Sequence, residues 1–173
     1  MTIKRRGTTS ALKRLAYAQL LAIGLSLTHA IHAAPASSAM SGFEPLIGGQ
    51  WALGSTYQTY TWGPDRQSVF GESFVIQNGE KALGAKGLWY FDPASKTIKG
   101  VFVATNMPFT VLHYRSHFEA GTLISQVRSL DNLGTENHYQ ETIRVTQPDA
   151  YLWELTEAEP AGNTMKAEFH RAP

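Results

Sequence analysis

Between Trp51 and His170 the chain is one succession of short alternating segments, cut at close intervals by turn residues, and no stretch there sustains a helical period. Such a pattern restricts the chain to an antiparallel β architecture in which each segment pairs with the next. The expected strands are 50–54, 56–62, 67–77, 83–92, 97–105, 109–115, 117–120, 122–130, 135–147, 150–157 and 164–170, with a bend at Tyr114-Arg115-Ser116. Gly63-Pro64-Asp65, Asn78-Gly79, Asp92-Pro93-Ala94-Ser95-Lys96, Ala120-Gly121, Asp131-Asn132-Leu133-Gly134, Gln147-Pro148-Asp149 and Pro160-Ala161-Gly162-Asn163 supply the turns. Asn-Gly is the strongest short hairpin signal among them. Around ten strands joined by short connections favour an all-β, antiparallel up-and-down barrel of eight to ten strands. Closure removes the edges such a sheet would otherwise expose. Gly71, Gly84, Gly87 and Gly100 fall inside strands, where they are expected to let the backbone bend.

The N-terminal region reads differently. Residues 1–43 contain no acidic side chain and begin with Lys4, Arg5, Arg6, Lys13 and Arg14. An apolar run from Leu15 to Leu27 follows, then small residues at Ala30, Ala33 and Ala34. This is the order of a secretory signal peptide, assigned to residues 1–33, with cleavage after Ala33 or Ala34. The thirteen-residue run rises only about 20 Å as a helix, against a hydrocarbon core of roughly 30 Å, so no stable membrane span is expected after processing. The localisation expected is periplasmic or secreted. Residues 34–42 read as a flexible linker of small residues, and 43–173 as the barrel domain. Phe43-Glu44-Pro45-Leu46-Ile47 is expected to form a turn or short helix packing apolar residues across one barrel end.

Removing the leader takes five of the fifteen Lys and Arg, leaving ten against fourteen Asp and Glu, a net charge of −4. A mildly acidic domain without a basic cluster argues against nucleic acid as a partner. The chain has no cysteine, which excludes disulfides, zinc-thiolate sites and a cysteine nucleophile. No Gly-x-Ser-x-Gly elbow or phosphate loop is present.

The chemistry-bearing candidates sit on strands. Glu72 alternates with Phe70, Phe74 and Ile76; if that face turns inward the carboxylate does too, with a raised pKa. The opposite face (Val69, Gly71, Ser73, Val75) is also partly apolar, and an exposed Glu72 or one satisfied by an arginine is the plainer alternative. In 135–147, the face bearing Tyr139, Ile143 and Val145 is the apolar one and would bring Glu141 inward. Glu72 and Glu141 could then pair, or each could meet an arginine such as Arg128, or they could form a polar girdle that orders the barrel. Trp89 and Phe102, with Phe74, are expected to supply apolar cavity wall, although most aromatics of such a chain are simply core. His113 and His117 share a face, but two histidines without a third ligand make no metal site, so no metal is expected.

The order of several short elements carries a resemblance. Leu46-Ile47-Gly48-Gly49-Gln50-Trp51, Val69-Phe70-Gly71-Glu72-Ser73-Phe74, Gly87-Leu88-Trp89-Tyr90-Phe91-Asp92-Pro93-Ala94-Ser95-Lys96, Trp153-Glu154-Leu155 and Met165-Lys166-Ala167-Glu168-Phe169-His170 resemble, in that sequence, bacterial lipocalin-like domains of the calycin superfamily. The likeness covers residues 46–170. It implies a barrel with a central cavity and no settled activity. His170 lies near the chain end, where haem-binding calycins place an iron-ligating histidine. The rest of that subgroup's pattern is absent, and no cofactor is expected. The function expected first is therefore an exported barrel that holds a small apolar or amphipathic molecule. Glu72, Phe74, Trp89, Phe102, Arg128, Tyr139 and Glu141 are its candidate contacts. The alternatives are a barrel enzyme (isomerase, cyclase or decarboxylase) using Glu72 or Glu141 with Tyr139 as acid and base, and a ligand-free interaction module of the cell envelope.

Overall fold

The computed structural model describes residues 39–105, 108–158 and 162–173. The leader and most of the linker lie outside the described residues, as does part of the turn at Pro160-Ala161-Gly162-Asn163. Ten strands follow a short 3-10 helix at Ser41–Leu46: β1 (Trp51–Leu53), β2 (Thr56–Trp62), β3 (Ser68–Gln77), β4 (Glu80–Asp92), β5 (Thr97–Ala104), β6 (Val111–Glu119), β7 (Thr122–Leu130), β8 (Glu136–Gln147), β9 (Ala150–Glu157) and β10 (Thr164–Arg171). Each pairs antiparallel with its neighbours in sequence, and β1 pairs with β10, so the sheet closes into an up-and-down barrel. This is the fold class the alternation implies.

Turn chemistry sets the register. Asn78 and Gly79 both adopt positive φ, 53° and 81°, and join Gln77 to Glu80 as a two-residue hairpin. The Asp92 carboxylate accepts from the Ala94 amide and the Ser95 hydroxyl, at 3.0 and 2.7 Å, and closes the next turn.

Two expectations need correction. The bend at Tyr114-Arg115-Ser116 does not occur; β6 runs unbroken from Val111 to Glu119. Ser116 points into the barrel, where its hydroxyl donates to the Ser125 hydroxyl at 2.8 Å. A buried polar side chain satisfied by a cross-strand partner needs no turn to reach water. The in-strand glycines also have a different main role. Only Gly84 marks an irregularity, the extra residue where β4 slips against β3 between Ser73 and Phe74. Gly71, Gly87 and Gly100 instead make room for rings. A Cβ at Gly87 would stand 2.1 Å from the Val101 carbonyl oxygen and 2.5 Å from Phe102; one at Gly71 or Gly100 would meet Trp89 at 2.9 or 2.8 Å. The rings of Trp89 and Phe102, with centroids 4.4 Å apart, therefore pack against glycine backbone.

The 3-10 helix closes one end of the barrel. Phe43 and Leu46 are buried, and Phe43 packs edge-on against Phe118 and beside Trp89, so the expected packing across a barrel end is present. Met40, at the far end of the segment read as linker, is fully buried and accepts the Phe43 amide on its carbonyl. Arg171 latches this plug. Its guanidinium lies 4.2 Å from the Trp51 ring centroid and donates to the carbonyls of Gly48 at 2.5 Å and Pro45 at 2.9 Å. The Trp51 indole donates to the Leu46 carbonyl at 2.9 Å. Because the β1–β10 seam has only two register pairs, Trp51–Arg171 and Ala52–His170, these side-chain contacts reinforce the place where the barrel closes.

A cavity with one buried carboxylate

Alternation fixes which side chains reach the interior. Inward residues include Gln58 and Tyr60 of β2, Gly71 of β3, Trp89 of β4, Phe102 of β5, Leu112 and Tyr114 of β6, Tyr139, Glu141 and Ile143 of β8, Trp153 and Leu155 of β9, and Phe169 of β10. Together they border a cavity of about 520 Å³. Leu53, Thr56, Pro108, Phe109 and Met165 border it too, all from the turns and strand ends opposite the 3-10 helix, which places its mouth at that end. Its volume falls within the ~300–1,000 Å³ of small-molecule sites.

Glu141 is the pivotal polar group. It is only 6 % exposed. The Trp153 indole donates to its Oε1 at 2.8 Å, while Oε2 is buried without a partner among the described residues. Burial raises its pKa to about 7, and the Trp153 hydrogen bond pulls it only partly back. Three phenols stand in the field of this carboxylate, Tyr60, Tyr114 and Tyr151, and burial pushes each well above its ordinary range. Tyr60 and Tyr151 both donate to Gln58 Oε1, at 2.6 and 2.5 Å. The Trp89 indole nitrogen is another buried group without a partner among the described residues.

The candidates divide between the two sides of the wall. Trp89, Phe102, Tyr139 and Glu141 border the cavity. Glu72, Phe74 and Arg128 do not project into it, which corrects the expected faces. Glu72 belongs to the wall, but its carboxylate is held on the outer side by Lys81 and Lys86, at 2.7 and 2.6 Å. Those two lysines hold its pKa below the ordinary carboxylate range rather than above it. Phe74 stacks on Tyr57 outside the main core cluster, with the Lys81 ammonium 4.2 Å from its centroid. Phe70 and Ile76 share this outer face and are exposed. The face with more apolar residues is thus the outer one, because Gly71 has to be small where the rings from β4 and β5 fill the interior. Glu72 and Glu141 consequently never meet. Arg128 is also external, paired with Glu136 at 3.0 Å in the cross-strand row His113–Arg128–His138. That row, with Arg115, lines a polar depression of about 740 Å³ on the outer surface across β6–β9.

Several residues escape sequence reasoning. Tyr60, Tyr114 and Trp153 are as much part of the cavity as Tyr139, and alternation alone marks them as inward once a single strand's face is known. Among the described residues no three His, Asp or Glu side chains gather closely enough to hold a metal ion. No known family model matches the chain, and no curated protein matches it. The fold and site define a closed ten-stranded antiparallel barrel with an aromatic cavity that, among the described residues, is bordered by one buried carboxylate.

Proposed function

We propose that this chain is an exported, calycin-like carrier that holds a small apolar or amphipathic molecule inside its barrel. The observation that carries this reading is the cavity itself, about 520 Å³ of mainly apolar space reaching the barrel end opposite the plug. A filled barrel serving only as an interaction module has no need of it. The apolar wall supplies affinity by removing ligand surface from water, and Glu141 orients whatever polar group the ligand has. Leu53 and Met165 at the mouth are 44 % and 54 % exposed, an apolar rim over which such a ligand can enter. The signal-like leader supports export, and the order of the sequence elements supports the calycin likeness.

The test uses a neutral fluorophore, N-phenyl-1-naphthylamine, with the processed protein and with an Ala167→Phe variant that fills part of the cavity. Saturable one-to-one binding that weakens at least tenfold in the variant supports the reading. Absence of binding, or binding unaffected by the substitution, contradicts it.

A second reading rests on the same carboxylate. A buried acid poised near neutrality suits general acid–base catalysis, with Tyr139 or Tyr114 as a neighbouring hydroxyl. Glu141→Gln separates the two: a carrier has no turnover to lose and still takes up the neutral fluorophore, whereas an enzyme loses turnover.

A further inference from the structure

We infer that the ligand is a cation, an apolar molecule bearing one amine or quaternary ammonium group seated against Glu141. This rests on the carrier reading above and narrows it. None of the described residues bordering the cavity is Lys, Arg or His. Three carboxylates border it, and two are already committed. Glu72 is bound by its two lysines outside, and Glu157 accepts the Asn163 amide in the β9–β10 turn at 3.2 Å. Among the described residues, Glu141 is the one of the three with an oxygen that is buried and without a donor.

A buried carboxylate is costly unless it is neutralised by a proton or by a partner charge. None of the described residues bordering the cavity supplies such a charge, so an ammonium in the cavity against Glu141 is the partner that completes it. The surroundings favour the same group. Tyr60, Trp89, Phe102 and Tyr114 form a chain of rings with neighbouring centroids 4.4–6.1 Å apart, and each π face attracts a cation. An ammonium donates a hydrogen bond to the Glu141 carboxylate, and a quaternary ammonium gains the same charge contact without one. An anionic head, such as a fatty carboxylate, meets the opposite situation: no cation among the described lining residues, an electron-rich wall and, above neutrality, a like charge. The fold therefore selects ligands by charge sign, while the apolar wall takes the remainder of the molecule.

The test is displacement of the neutral fluorophore by three ten-carbon ligands, decylammonium, decanol and decanoate, below their micellar concentrations at pH 8. Decylammonium is expected to bind at least tenfold more tightly than decanol, and decanoate to bind weakest. In Glu141→Gln the advantage of the amine over the alcohol, each measured against the fluorophore affinity of that same variant, falls to within about threefold. Equal binding of amine and alcohol by the wild type, or tightest binding by decanoate, overturns the cation assignment and leaves the carrier reading standing. Failure of all three ligands and of the fluorophore overturns the cavity reading, and the cation assignment with it.

Discussion

Replacing Glu141 by Gln removes, among the described residues, the buried acid whose protonation between pH 4 and pH 8 differs between the folded and unfolded chain. Folding raises its pKa from 4.5 to about 7 through burial. A shift of that size corresponds to about 3 kcal/mol at ~1.4 kcal/mol per pH unit. The folded state binds the proton more tightly, so this stabilisation is fully present below the unfolded pKa. It is lost as pH rises from 4.5 through about 7, and is flat beyond. The groups facing the carboxylate are the Trp153 indole and the phenols of Tyr60, Tyr114 and Tyr151, none of which changes charge in that window. Glu72 and Asp131, both held low by hydrogen bonds, act in the opposite direction but are common to both proteins. The assay is urea unfolding of the ligand-free wild type and Glu141→Gln at intervals from pH 4 to pH 8. Wild-type stability relative to the variant is expected to fall by about 3 kcal/mol across the range, most steeply between pH 5 and pH 7. A difference that stays flat, or that grows with pH, refutes the assignment of Glu141 as an unpaired buried acid.

Other perturbations follow from the packing. Arg171→Met keeps the stem over Trp51 but removes the donors to Gly48 and Pro45, and should cost about 2 kcal/mol and red-shift tryptophan emission as the plug loosens. Gly87→Ala drives a methyl into the Val101 carbonyl and the Phe102 ring and should cost about 3 kcal/mol or prevent folding; thermal unfolding against a Gly121→Ala control, whose penalty is backbone strain alone, measures it. Ser125→Ala leaves the Ser116 hydroxyl buried and unpaired and should cost about 2 kcal/mol, with part recovered in the Ser116→Ala/Ser125→Ala double variant. Glu72→Gln should change stability by under about 1 kcal/mol and leave fluorophore affinity intact, since its ion pairs lie on the exposed outer face.

The barrel was legible because period-two alternation and turn residues act locally, and Asn78-Gly79 or Asp92-Pro93 fix hairpins within a few residues. Glu141 was legible for the same reason: Tyr139, Ile143 and Val145 make one face of β8 plainly the apolar one. Glu72 was not, because the inward face of β3 is depleted by Gly71, and the reason for that glycine lies on β4 and β5 in the rings of Trp89 and Phe102. Counting apolar residues along one strand cannot register a side chain that fills its space from a neighbour. Arg171 was invisible on similar grounds. Its partners are carbonyls of residues 45–48, more than a hundred positions away and indistinguishable by side chain.

The central claim is that the barrel interior is an occupied ligand site rather than a packed core. Native mass spectrometry of the protein taken from its own host, repeated after denaturation, tests it most directly. The account predicts an adduct of one small molecule per chain that unfolding releases as a cation. It also predicts that the adduct is lost or reduced in Glu141→Gln. A bare polypeptide mass, together with no uptake of the neutral fluorophore, contradicts it.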